Sequence, residues 1–247
     1  MKKPLISIIT ANRNCGYDLS KTAESIKKNY CNSIEWIIID CKSIDTTKLV
    51  VQKYKKYIKT FISENDKGIY DAWNKGIKIA LGEWIMFLGS GDILEKNAIK
   101  NYKEKVSKNT NEVNLITSKV KIVNQNNIVK KVIGEKFEKE KFLNYMTIAH
   151  IGTLHHRRLF RYSSFNTKYK ISSDYHFLLT KINIIKPVFL NKVTATMLAG
   201  GASDTYNSLY ERLLIQLNFN HLPKIRLYLI FISSICKKIL RKILKGY

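Results

Sequence analysis

Three carboxylates in this sequence stand at the edges of apolar runs, where an acid could do chemistry. Asp40 closes Glu35 to Asp40 (EWIIID), Asp92 ends the string Gly89-Ser90-Gly91-Asp92, and Asp174 lies in Ser172-Ser173-Asp174-Tyr175-His176 just before an apolar helical run. A carboxylate can accept hydrogen bonds from a ligand, help to hold a divalent cation, or take a proton from a hydroxyl that attacks poorly at neutral pH. Partial burial would raise its pKa in the direction a base needs. The alternative for each of the three is a helix cap or turn residue. The cationic candidates are Lys67 and Arg13. Lys67 and Gly68 precede a helical pattern at Ile69, so an ammonium, a bare backbone amide and a helix amino terminus could together meet a phosphate. Asp71 could orient Lys67 or face the ligand, and His150 lies shortly before the apolar stretch that begins at Ile151.

Elements must bring these residues together. Leu5 to Thr10 (LISIIT), Glu35 to Asp40, Lys59 to Ser63 and Glu83 to Leu88 (EWIMFL) read as four short strands. Between them Leu19, Ala23 and Ile26 recur at helical spacing, and helices are expected over about Thr46 to Tyr57 and Ile69 to Ala80, with Gly82 as a stop. This alternation predicts an α/β fold of β-α-β units on a largely parallel sheet. In such sheets ligands bind outside the carboxyl ends of the strands. Thr10, Asn12 and Arg13 after the first strand, Asp40 at the second, and Ser90, Gly91 and Asp92 after the fourth are therefore expected at one crevice.

After a helix near Asn97 to Val106, strands are expected at Asn114 to Ser118, Lys119 to Asn124 and Ile128 to Ile133, the last two joined by a polar turn. Ile151 to His156, a helix around Ser173 to Leu179 and a strand over Val188 to Met197 follow. His155 and His156, beside Arg157 and Arg158, read as surface or acceptor-side groups. With no internal repeat or low-complexity linker, one composite domain is expected over 1–206, in halves 1–112 and 113–206, followed by a distinct segment 207–247.

Length and 45% apolar residues suffice for a real core in a chain of 247 residues. The formal charge of +24, from 43 Lys and Arg against 19 Asp and Glu, predicts an anionic partner: nucleic acid, lipid head groups or a phosphorylated substrate. Charge alone does not choose, and a chain rich in Lys, Ile and Asn gains lysines wherever they are tolerated. The segment 224–247 carries Lys224, Arg226, Lys237, Lys238, Arg241, Lys242 and Lys245 with no acid, around the apolar run Leu227 to Cys236. That run is about half of the roughly 20 residues a membrane span needs. A basic amphipathic helix lying on an anionic membrane is expected, with an ordinary terminal helix as the alternative. Cys15, Cys31, Cys41 and Cys236 are scattered without zinc-ligand spacing, and Met1-Lys2-Lys3-Pro4 opens no apolar leader. Both fit a reduced cytoplasmic compartment.

Four stretches resemble the inverting family 2 glycosyltransferases of the GT-A fold, especially bacterial members that build capsule, O-antigen and exopolysaccharide units. They are Ile6 to Asn14, Glu35 to Thr47, Ser63 to Asp92 and Phe165 to Leu179, and the order Asp66-Lys67-Gly68-Ile69-Tyr70-Asp71-Ala72 followed by Asn74-Lys75-Gly76 is the most specific. The resemblance implies a GT-A sheet flanked by helices and transfer of a sugar, with inversion, from a nucleotide diphosphate, expected to be a UDP-sugar. It places Asp40 at the nucleobase, Lys67, Gly68 and Arg13 at the diphosphate, and Asp174 as the base. Thr10, Asn12, Asp71, Asn74, Ser90, Gly91 and His150 join the donor site by the same likeness. Family members commonly carry Asp-x-Asp for Mg²⁺ or Mn²⁺; here Gly89-Ser90-Gly91-Asp92 keeps one carboxylate, so Asp92 is the metal candidate. Gly200-Gly201-Ala202-Ser203 resembles a loop that could close over the donor, with a plain turn as the alternative. By analogy the acceptor is a glycan on a lipid carrier at the inner face of the cell membrane, and no nucleic acid is expected. A nucleic-acid-binding protein and a non-catalytic subunit of the same fold stand as rival readings.

Overall fold

The first apolar run forms β1 (Ile6–Asn12), which pairs in parallel with β2 (Ile34–Asp40) on one side and β4 (Trp84–Gly89) on the other. β3 (Thr60–Ser63) lies beyond β2, also parallel. The computed structural model describes residues 3–108 and 112–244; Met1, Lys2, Lys245 and the side chains of Arg241 and Lys242, named above, lie outside this part. Every residue of β2 is buried, because helical crossovers cover a parallel sheet on both faces. The crossovers are α1 (Gly16–Asn29), α2 (Thr47–Lys53) and α3 (Ile69–Ile79). Residues of β1 alternate between the layers. Ile6 and Ile8 pack with Leu19, Ala23 and Ile26 of α1, whereas Ile9 packs with Tyr70 and Trp73 of α3. A side chain at Gly76 would come within 2.4 Å of the Ile9 Cγ2, so α3 rests directly on β1 there.

Beyond β4 the sheet changes character. β5 (Ile93–Leu94) and α4 (Ala98–Ser107) precede β6 (Leu115–Val123) and β7 (Val129–Ile133), an antiparallel pair. Next come α5 (Lys139–Asn144), β8 (Thr153–His156), α6 (Ser173–Thr180) and β9 (Pro187–Leu198). β8 inserts antiparallel between β4 and β6, β6 runs parallel to β9, and β5 pairs with β9. The order is β3-β2-β1-β4-β8-β6-β9-β5, with β7 added on β6. Because β5 follows β4 closely in sequence yet pairs at the far edge, the sheet curls back on itself. The α/β fold expected from the sequence is therefore observed, with a parallel half and a mixed half.

Three local expectations are corrected. The two strands expected over 114–118 and 119–124 are one strand, β6, whose register against β9 slips at Ser118 and Lys119; the bulge marks the point where the apolar run is interrupted. The helix expected to Tyr57 ends at Lys53 and continues only as a 3-10 turn over Lys55–Tyr57. Residues His150–Gly152 form a 3-10 turn, so the strand there begins at Thr153. The polar turn between β6 and β7 is present: Asn124 Oδ1 accepts from the amides of Asn126 and Ile128, and Asn127 takes φ 59°.

Two helices close the chain, α7 (Tyr206–Phe219) and α8 (Lys224–Leu244). α7 is part of the core. Ile215 packs with Phe177 and Leu178, and Gln216 donates to the Leu143 and Asn144 carbonyls at 2.8 and 2.9 Å. Among the described residues no helix is long and apolar enough to cross a membrane.

Candidate active site

The carboxyl ends of β1, β2 and β4 meet through one polar chain. Asn12 Nδ2 donates to Asp40 Oδ1 at 2.8 Å, to Thr47 Oγ1 at 3.0 Å and toward Ser43 Oγ at 3.2 Å, while the Ser90 hydroxyl donates to Asn12 Oδ1 at 2.7 Å. Asp40 further accepts from the Ser43 amide and hydroxyl and from Ser63 Oγ at 2.6 Å. Burial alone would raise the Asp40 carboxyl, but the donors from Ser43, Ser63 and Asn12 outweigh it and hold the pKa below the usual value. Asp40 is only 1% exposed and Asn12 4%. Both oxygens of Asp40 accept internal donors, so the residue braces the loop over 41–46 at the place where the nucleobase contact is expected. Thr10 likewise is buried, its Oγ1 accepting from Trp36 Nε1 at 2.9 Å. In a sheet covered on both faces, the last side chains of inner strands point into packed layers. Asp45 ties the same loop to α1, accepting from the Gly16 amide at 2.7 Å and from Thr47.

The cationic candidates lie at the rim. Arg13 and Lys67 are exposed, and neither side chain has an ion-pair or hydrogen-bond partner among the described residues. Gly68 is the N-cap of α3 with φ 123°, a conformation only glycine adopts without strain. Asp71 Oδ2 accepts from the Lys67 amide at 2.9 Å, so Asp71 orients the Lys67 backbone and not its ammonium, and it sits 3.8 Å from Lys75 Nζ. Asn74 has a structural role that the sequence did not indicate. Its amide donates to the Phe165 carbonyl and accepts from the Phe165 amide, both at 2.9 Å, so it staples α3 to the loop before α6, and one N–H and one lone pair remain beyond that pair of bonds.

Asp92 Oδ2 accepts from the Gly89 amide at 2.7 Å, and burial pushes its pKa up to about 7. Gly91, with φ 100°, faces the side chain of Asp18. A carboxylate with one donor and, among the described residues, no ion-pair partner suits a divalent ion, as one ligand among phosphate oxygens and waters. Among the described residues no group of three or more His, Cys, Asp or Glu could hold a metal without such outside ligands.

Asp174 occupies the first turn of α6, with Ser172 and not Asp174 as the N-cap. Burial pushes its pKa up to about 6, against lowering by the Tyr175 amide and the Tyr70 hydroxyl. The Tyr70 hydroxyl lies 2.6 Å from the Ile171 carbonyl and 3.0 Å from Asp174 Oδ1, one proton for two acceptors. Glu211 of α7 accepts from the amides of Lys170, Ile171 and Ser172 at 2.8 to 2.9 Å and so fixes the segment that presents Asp174. Tyr70 and Glu211 were not singled out from the sequence. Tyr70 lies inside the most specific string, but nothing near Glu211 points to a partner 40 residues away.

His150 lies among aromatic rings. Its ring stacks on Phe87 at 5.3 Å and lies 5.1 Å from Trp73, its Nε2 is enclosed without a partner, and burial lowers its pKa to about 3. It is a neutral member of an aromatic cluster, so any contact it makes with a phosphate is through an imidazole N–H and not through a charge. His155, expected near the surface, is fully buried beside it, because β8 is an inner strand with both faces covered.

Residues 7–167 match the family model described as Glycosyl transferase family 2. The UDP-Glc:alpha-D-GlcNAc-diphosphoundecaprenol beta-1,3-glucosyltransferase WfgD of Escherichia coli is 29% identical over 178 residues, covering 71% of this chain and 69% of that protein. A PGL/p-HBAD biosynthesis glycosyltransferase of Mycobacterium bovis is 26% identical over 182 residues, 72% of this chain and 69% of that protein. Among solved structures, residues 1–349 of S. aureus TarS in complex with UDP align with TM-score 0.69 at 17% identity, over 92% of this chain and 69% of that one. The chain spans 42% of the longer TarS structure. The mannosyltransferase PcManGT of Pyrobaculum calidifontis, in complex with GDP-Man and Mn²⁺, aligns with TM-score 0.64 at 14% identity, over 95% and 70%. At such identities these structures speak for the GT-A fold alone.

Proposed function

Because the chain belongs to glycosyl transferase family 2, we propose that it moves a sugar, with inversion, from a nucleotide diphosphate to a hydroxyl of a lipid-linked glycan in cell-surface polysaccharide synthesis. The observation that carries this reading is Asp174, a half-buried carboxyl with a pKa near 6, seated by Tyr70 and by the Glu211-braced loop. At neutral pH it is ionised and takes the proton of the attacking hydroxyl as the new bond forms, and a single displacement inverts the anomeric carbon. Arg13, Lys67 and the Gly68 end of α3 receive the departing diphosphate, whose negative charge grows in the transition state. A divalent cation held by Asp92 supplies Lewis-acid stabilisation to that leaving group when bound. The buried chain of Asn12, Asp40 and Ser90 keeps the crevice floor rigid.

UDP and UDP-GlcNAc in the TarS complexes support a UDP-sugar as donor, and the diphosphoundecaprenol named for WfgD supports a lipid-linked acceptor, of capsule or O-antigen type. α8, with an exposed apolar face beside its cations, would rest on the inner face of the membrane. Matches to named glycosyltransferases favour this reading over a nucleic-acid-binding protein. The test is a thermal-shift screen of nucleotide diphosphates and nucleotide sugars with and without Mn²⁺. Ligand at 100 times its Kd adds about 2.7 kcal/mol. A chain that responds to none of them, or to nucleic acid instead, would reject the proposal.

A further inference from the structure

Between α7 and α8 lies a cavity of about 810 Å³ that shares no residue with the crevice just described. Lys131, Arg212, Arg226, Lys237 and Lys238 all line it, against one acid, Asp204. That acid is already engaged: Lys238 Nζ donates to its carboxylate at 3.1 Å and to its carbonyl at 2.7 Å. Arg212 is the telling residue. It is half-buried, burial lowers its pKa, and its guanidinium has only the Ser234 hydroxyl at 3.3 Å, with no carboxylate partner among the described residues. Enclosing a cation without an acid is costly unless an anion joins it, and the guanidinium fork matches phosphate oxygens.

A second observation says what carries the phosphate. Ile225, Tyr228, Leu229, Ile232, Ile239 and Ile243 of α8 are 45% to 69% exposed. At 3.6 residues per turn they form one apolar stripe, and Arg226, Ser233 and Lys237 run along its edge into the cavity. Leu229 belongs to both surfaces. A phosphate group in the cavity therefore has an apolar track beside it. The cavity also adjoins the segment that carries the base: Ser208 lines it, and the Ser208 carbonyl faces the Ser172 hydroxyl at 3.4 Å, two residues before Asp174.

We propose that the cavity between α7 and α8 binds the phosphate or diphosphate head of a membrane lipid, whose chain leaves along the exposed stripe of α8. Only the identification of that lipid as the acceptor's anchor rests on the transferase reading; the binding does not. The test uses the full chain with vesicles of phosphatidylcholine carrying either phosphatidic acid or phosphatidylserine at matched surface charge, with inorganic pyrophosphate as competitor. Phosphatidic acid should be preferred, and pyrophosphate should displace the protein from it. The exposed pair Arg226→Gln/Lys237→Gln should weaken that binding about 20-fold, roughly fivefold per cation near the surface. Arg212→Gln should abolish the preference. The pair Lys55→Gln/Lys56→Gln, exposed on the turn after α2, should change nothing. Equal binding to the two anionic lipids, or equal loss in the control pair, would reduce the cavity to general surface charge. Pyrophosphate binding by a chain that ignores vesicles would assign the site to a soluble phosphate and overturn the lipid. The nucleotide thermal shift is read on every variant and should persist. If Arg212→Gln loses it through misfolding, the exposed pair decides; if the parent lacks it yet prefers phosphatidic acid, the transferase reading fails and the cavity assignment stands.

Discussion

Replacing Asp174 by Asn keeps its size and an oxygen toward Tyr70 but removes the group that takes a proton. Turnover should fall about 10²-fold or more while donor binding persists. Stability should move the other way. The folded carboxyl titrates near 6 against an ordinary 3.8, a gap of about two pH units. At about 1.36 kcal/mol each, that sets a ceiling near 3 kcal/mol on the cost of holding the ionised form in the fold. Asp174 is only half-buried, and solvent screening brings the expected figure to about 1–2 kcal/mol. Between about pH 4 and pH 6 the folded state binds this proton more tightly than the unfolded chain, so the parent loses stability as pH rises through that window. The Asn variant has no such loss. Its Tm should exceed the parent's by about 3–6 °C at neutral pH, at roughly 3 °C per kcal/mol, and should match it below about pH 4. Calorimetry across pH and single-turnover sugar transfer measure the two halves, and parental kcat/KM should climb to a plateau above about pH 6. Full turnover in the variant would remove Asp174 from the mechanism. A stability gain that is absent or independent of pH would refute the enclosed-carboxyl account.

Asn74→Ala strips both hydrogen bonds from the Phe165 backbone and should cost about 1–3 kcal/mol in denaturant unfolding with donor affinity unchanged; lost affinity with normal stability would return Asn74 to the donor site. Arg13→Gln and Lys67→Gln should each weaken nucleotide diphosphate binding about tenfold at low salt by titration calorimetry, and less as salt screens the charge. Affinity equal to the parent's would mean these rim cations do not reach the phosphates. Asp92→Asn should make nucleotide binding the same in Mn²⁺ as in chelator, and a metal response equal to the parent's would exclude Asp92 as a ligand.

Much of the nucleotide-binding half was legible in the chain itself. The apolar runs before Asn12, Asp40 and Gly89 correspond to β1, β2 and β4 within one or two residues, and Leu19, Ala23 and Ile26, at helical spacing, all lie on α1. The turn at 124–127 was readable for the same reason, since an Asx side chain bonds to backbone a few residues away. Asp174 could be singled out because an apolar helix follows it. Its partner could not: Tyr70 lies 104 residues away, and the Phe165 backbone that occupies Asn74 lies 91 away.

Periodicity, caps and turns depend on neighbours within a few positions, so a sequence alone determines strands, helices and the polar residues that mark their ends. Which of those polar residues meet a ligand is a matter of burial, and burial depends on side chains brought from far along the chain. Folding turned Asp40 and Thr10 inward as braces, tied Asn74 to the Phe165 backbone, set His150 among aromatic rings, left Arg13 and Lys67 at the rim, and put an arginine of α7 with no carboxylate partner among the described residues against a basic helix, none of which any local pattern encodes.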